Sequence, residues 1–242
     1  MLGIALWKYA VGAVCAFFVG VAKAGVPGVA IWVVPVMVLT VGDARLAAGW
    51  LLPLLCVGDL FAVGYWRKHA EVRRLLRLAP WVLAGMLLGA AALSLPEQRL
   101  RPIVGGIILF MLLIYVRRRI RPETFAIPGR TAPWGATAGF ATTVANAAGP
   151  VMNLYLLSNH LPKERFLGTA ASFYFVINVV KIPIYAWHGL FSRQSLGFDA
   201  LLFPAAAAGA MTGRWVFDHI PQRVFEIIVL GFTAVATLLL FR

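Results

Sequence analysis
Lys23, Asp59, Asn178 and Lys181 are polar side chains placed inside long apolar runs, and Asn146 lies beside an interruption of another such run. Ionisable groups at bilayer depth are costly and by default mark a binding site or an ion path. A lysine ammonium suits a small anion such as a sulfonate, sulfite or carboxylate. An asparagine amide donates to the same anion without adding a second positive charge. Asp59 can accept a proton in a coupled cycle or pair with a buried lysine. Structural readings stand beside these functional ones. Lys23 and Lys181 can snorkel to the interface, and Asn146 can satisfy carbonyls freed by a helix break. Asn178 and Lys181 are one turn apart and share a helix face.

Lys23 is positioned by the stretch Val21-Ala22-Lys23-Ala24-Gly25-Val26-Pro27-Gly28. Proline removes a backbone donor and glycine tolerates unusual dihedrals, so a helix should break here. The break frees N–H groups and a helix N-terminus to face an anion. The pattern returns as Val144-Ala145-Asn146-Ala147-Ala148-Gly149-Pro150, at an offset of 123 positions. A break at corresponding places in two halves is the sequence pointer to a transporter's midplane site. The expected substrate contacts are therefore Lys23, Ala24, Gly25, Pro27 and Gly28 from the first break. The second break adds Asn146, Ala147, Gly149 and Pro150, and the later span adds Asn178 and Lys181. Asp59 is the proton-coupling candidate. With lysine on one side and asparagine on the other, one charged site shared by two breaks is expected.

Composition sets the class. Of 242 residues, 61% are hydrophobic and 13% charged, and the mean hydropathy is +0.85. Soluble domains carry about 25% charged residues, and apolar runs of membrane-spanning length recur along the chain. The net charge of +13 sits mostly in short loops, where it sets orientation and meets anionic lipid rather than nucleic acid. Cys15 and Cys56 lie in apolar runs, and the four histidines have no ligand spacing, so neither disulfide nor metal is expected. No nucleophile elbow or P-loop is present, so no enzymatic role and no cofactor are expected. Tyr9–Val21 followed by Ala22-Lys23-Ala24 has the form of a signal peptide with its cleavage site. The same A-x-A recurs deep in the chain at Ala145-Asn146-Ala147, so it belongs to the fold.

As one helix, Tyr9–Thr40 would measure roughly 48 Å, against a core of roughly 30 Å. Two pieces, about Tyr9–Val21 and Gly28–Thr40, are expected. They form a re-entrant hairpin, two short spans or one kinked crossing. Further spans are expected at about Leu46–Trp66, Leu78–Leu95 and Ile103–Val116. The second half retraces this order from Pro133 to Phe241, with spans that include Phe166–Trp187 and Phe198–Val216. Gly85/Gly89 and Gly209/Gly213 match between the halves and have the spacing of close helix contacts. Arg214, near a span end, is expected to meet headgroups. The expected architecture is an all-α integral membrane protein of two homologous repeats, 1–121 and 133–242, joined by a cytoplasmic linker at 122–132. It has broken or re-entrant helices and about 8–10 membrane segments. Arg67–Arg77 and Arg117–Arg130 each hold five Lys/Arg and are two spans apart, so both face the cytoplasm. Charge does not decide between inverted and parallel repeats.

Phe18-Val-Gly20-Val-Ala-Lys-Ala-Gly25-Val-Pro-Gly28 with Pro35, Gly139-Phe140, Ala145–Pro150 and Lys163–Ala170 together resemble the sulfite exporter TauE/SafE family. The resemblance covers nearly the whole chain. It implies a multi-pass secondary transporter of the bacterial inner membrane that exports sulfite, sulfoacetate or a related small anion. Lys23 stands where that family's pattern has a small or polar residue, and a positive charge there suits an anion. The implied partners are the anionic substrate, the lipid bilayer and further copies of the chain. Alternatives are uptake of another small anion, a channel, and a membrane-embedded enzyme or assembly factor.

Overall fold
The computed structural model describes residues 5–92, 97–120, 131–145, 148–187 and 189–239. Asn146, Ala147, Pro96 and all but the end of the expected linker at 122–132 lie outside the described residues. The regular elements are all helical among those described: α1 (Leu6–Ala24), α2 (Val33–Val41), α3 (Ala44–Trp66), α4 (Val72–Ala92), α5 (Glu97–Ile120), α6 (Thr131–Ala145), α7 (Ala148–Ser158), α8 (Lys163–Trp187), α9 (Arg193–His219) and α10 (Gln222–Leu239). Among the described residues, five segments are long and apolar enough to cross a membrane: Leu6–Ala24, Leu46–His69, Val72–Ala92, Lys163–Trp187 and Arg193–His219.

The first break forms where the sequence places it, but it is wider than expected. α1 stops at Ala24, and the chain turns through residues 25–32 before α2 starts at Val33 rather than at Gly28. Gly28 takes φ 97°, a left-handed conformation that disfavours any residue with a Cβ. Ile31 N–H then donates to the Gly28 carbonyl and Val33 N–H to the Ala30 carbonyl, both at 3.0 Å, so tight turns replace helix. After the turn α2 packs on α1 and α3. The Phe18 and Trp32 rings, which flank the break, lie 5.1 Å apart. At nine residues α2 is about 14 Å long and too short to cross a roughly 30 Å core alone. α4 begins at Val72, earlier than the expected span, because its charged first turns continue the helix beyond the apolar stretch.

The helices gather into two compact units, each drawing on both halves of the sequence: Met1–Ala70 with Lys163–Ile228, and Glu71–Pro162 with Val229–Arg242. In the first unit α1 lies along α9, and α3 packs on α1, α8 and α9. The α1–α9 contact is backbone to backbone. A Cβ added at Gly209 would fall on the Phe17 carbonyl, and one at Gly213 would lie 2.6 Å from the Val21 carbonyl oxygen. The core beneath is built on Cys15, Val19, Met37, Leu51, Phe198 and Leu202. Lys163, from the polar step before α8, donates to the carbonyls of Phe217 (3.0 Å) and Ile220 (2.7 Å), satisfying the end of α9.

In the second unit α6 lies along α4 by the same device. A Cβ at Gly85 would fall on the Ala136 carbonyl, and one at Gly139 on that of Val82. α7 is buried all round from Ala148 to Leu157, and it packs on α5 and α6. Arg74, counted by sequence among the loop cations, donates to Asn159 and to Glu71, tying the start of α4 to the end of α7.

These contacts make the matched glycines stability determinants. Gly209→Ala and Gly139→Ala are each expected to cost about 1–3 kcal/mol through forced separation of the helices. Gly231→Ala, which meets nothing within 4 Å, should be neutral or gain up to about 1 kcal/mol of helix propensity. Thermal unfolding of the purified protein in detergent checks the contrast; equal midpoints for all three variants would refute it.

Candidate substrate site
The end of α1 places Lys23 in its last turn, pointing across to α3. Gly58 makes room for it, since a Cβ there would lie 2.9 Å from Lys23 Cγ. One residue on, Asp59 Oδ1 meets Lys23 Nζ at 2.7 Å. The other carboxylate oxygen, Oδ2, accepts from Asn178 Nδ2 on α8 at 2.6 Å. Lys23 Nζ also lies 4.6 Å from the centroid of the Tyr174 ring, one turn before Asn178 on α8. Three helices thus converge on one carboxylate that is 0% exposed. Such burial costs several kcal/mol per ion and is offset only by close pairing with full hydrogen bonding.

Lys181 lies one turn beyond Asn178 and is 4% exposed, so it does not reach the surface by snorkelling. It is within electrostatic reach of Lys23 and Asp59. Two lysines against one carboxylate give the cluster a formal charge of +1, the sign an anion site needs. Sequence alone left Asp59 open between a proton carrier and a lysine partner; in this structure it pairs with Lys23.

The break beside the cluster is stabilised by residues that pattern reading did not single out. Trp66 Nε1, at the end of α3, donates to the Ala24 carbonyl at 2.9 Å, satisfying a group that the end of α1 frees. Arg214 stacks on the Trp66 ring at 4.2 Å and pairs with Asp218 at 2.6 Å, so it serves the break rather than headgroups alone. Gly25 and Gly28 have different jobs: a Cβ on Gly25 would fall on the Gly213 carbonyl, whereas Gly28 supplies the positive φ. Val26 and Pro27 are buried in the turn. Of the second break, Ala148 to Pro150 form the first turn of α7, with Pro150 buried; Gly149 and Pro150 belong to the second unit.

The family model described as Sulfite exporter TauE/SafE matches residues 12–240, from the first turns of α1 to the end of α10. The chain belongs to the sulfite exporter TauE/SafE family. Membership makes this multi-pass membrane protein a transporter of the sulfite-exporter type. No curated protein and no solved structure matches the sequence. Within this TauE/SafE member, the ionisable groups that sequence flagged in three separate runs form one cluster in the first unit.

Breaking the ion pair from one side should be costly and breaking it from both sides should not. Asp59→Asn leaves an uncompensated ammonium, and a loss of about 3–5 kcal/mol is expected. The double variant Lys23→Met, Asp59→Leu should recover most of it. Thermal unfolding of the wild type, Lys23→Met, Asp59→Leu and the double variant gives the coupling; strict additivity of the two single changes would dismiss the pair as a structural unit.

Proposed function
We propose that this TauE/SafE member exports a small sulfur oxyanion, sulfite or sulfoacetate, across the bacterial inner membrane by alternating access. The observation that carries the reading is the buried cluster of Lys23, Asp59, Asn178 and Lys181 beside the α1–α2 break. It joins an excess positive charge to neutral donors at the end of a helix that stops at membrane depth. In the empty state Asp59 compensates Lys23. A substrate oxyanion then competes for the Lys23 ammonium, with Asn178 and Lys181 as further donors. Exchange of one anionic partner for another avoids leaving a bare charge at depth.

The shortness of α2 after the break, and its packing on α1 and α3, support a hairpin that enters and leaves on one side, as transporter sites built on discontinuous helices use. The parallel use of α1 on α9 and α6 on α4 supports a duplicated unit of roughly 120 residues. The second break is proposed to add Asn146, Ala147, Gly149 and Pro150 to the substrate path, with Asn146 as its neutral donor.

Proteoliposomes containing the full chain should show saturable flux of sulfite or sulfoacetate, and weaker flux of taurine, sulfate and acetate. A lost charge-assisted hydrogen bond of about 1.5–3 kcal/mol corresponds to a roughly ten- to hundredfold loss of transport in Lys23→Ala and in Lys181→Ala. The stability-neutral Lys23→Met, Asp59→Leu protein should be equally inactive, which separates function from folding. Strong anion flux unchanged by Lys23→Ala would sink the site. No flux across the panel would favour an enzymatic or assembly role.

A further inference from the structure
Asp199 is a buried acid outside that cluster. It lies on the inward face of α9 with Phe198, Leu202 and Ala206, and is 6% exposed. Neither carboxyl oxygen has a hydrogen-bond partner among the described residues. Its neighbour Phe198 is clamped between the rings of Tyr9 (5.1 Å) on α1 and Trp50 (5.0 Å) on α3. An ionised carboxylate in such a place, with no donor or cation, costs far more than a fold of this size can supply. Protonation removes that cost.

The groups that could compensate it are engaged elsewhere or uncharged. On α1 these are Tyr9, stacked on Phe198, the buried thiol of Cys15, Lys8 over Trp7, and Lys23 on Asp59. On α3 the described side chains of this kind are Cys56, Tyr65 and Asp59 itself. On α9, Arg193 is exposed and Arg214 pairs with Asp218. Trp50, which touches Phe198, precedes Asp59 by nine residues of α3, a rise of about 14 Å. The two acids therefore sit at different depths of one unit, one ion-paired and the other unpartnered.

We infer that Asp199 is a proton-binding site, and that it couples anion movement to the proton gradient. The carboxyl takes one proton from water as it closes into the buried position seen here. It returns that proton to water when that position opens to the other side. Asp59, by contrast, is held by Lys23 and Asn178. The coupling role rests on the transport reading above, but the bound proton does not.

Two measurements on the full chain separate these. Infrared difference spectra of the reconstituted wild type should show the carbonyl stretch of a protonated carboxylic acid that bleaches as pH is raised. Asp199→Asn should lose that band, and Asp199→Glu should shift it. In proteoliposomes, an imposed pH gradient should drive sulfite accumulation in the wild type. Asp199→Asn should keep sulfite exchange but lose the gradient-driven part. A band that survives Asp199→Asn overturns the proton site. Gradient-driven accumulation that survives it, or that follows an imposed sodium gradient instead, overturns the coupling role. Absence of sulfite flux in every liposome defeats the transport reading and the coupling with it, while the infrared band still decides the proton site.

Discussion
The pairing of Lys23 with Asp59 is the interaction on which the first unit turns. A lysine at the inner end of α1 can stay at depth only if an opposite charge is brought to it, and that charge comes from a helix 36 positions further on. The demand propagates. α3 must present Asp59 toward α1 and have no side chain at Gly58. α8 must supply Asn178 to the second carboxylate oxygen. Trp66 must take the Ala24 carbonyl that the break leaves over. Each is a case of one rule, that charges and freed backbone groups away from water must find partners within the protein.

What lets those partners come close is a lack of side chains. Association in lipid gains little from the hydrophobic effect, so helices hold together by packing and by close backbone approach. Gly20, Gly25, Gly209 and Gly213 let α1 and α9 touch along much of their length, and Gly85 and Gly139 do the same for α4 and α6. The two pairs are built alike, yet their chemistry differs. The first unit carries the charged cluster and the unpartnered Asp199. In the second, the described polar contacts bind Arg74 to α7 and Asn153 to Thr233.

Much of this was legible before any coordinates. The apolar runs and missing charge set the membrane class, Gly25, Pro27 and Gly28 marked the break, and the matched glycines marked the helix contacts. Lys23, Asp59, Asn178 and Lys181 stood out because a polar group in an apolar run contradicts its surroundings. Gly58 and Tyr174 did not stand out, since a glycine or a tyrosine in a span contradicts nothing. Asp199 escaped notice because it stands at the start of its apolar run, where an acid ordinarily faces headgroups.

The sequence by itself determined which segments are helices, where the first helix must stop, and which groups would be in difficulty at depth. These are local properties of composition and periodicity. Only the tertiary structure decided that Asp59 meets both Lys23 and Asn178, that α2 packs on α1 and α3, and that Asp199 is shut away from water. Those outcomes depend on which helix faces adjoin. Residues 36 or 119 positions apart become neighbours through packing, which no spacing along the chain encodes.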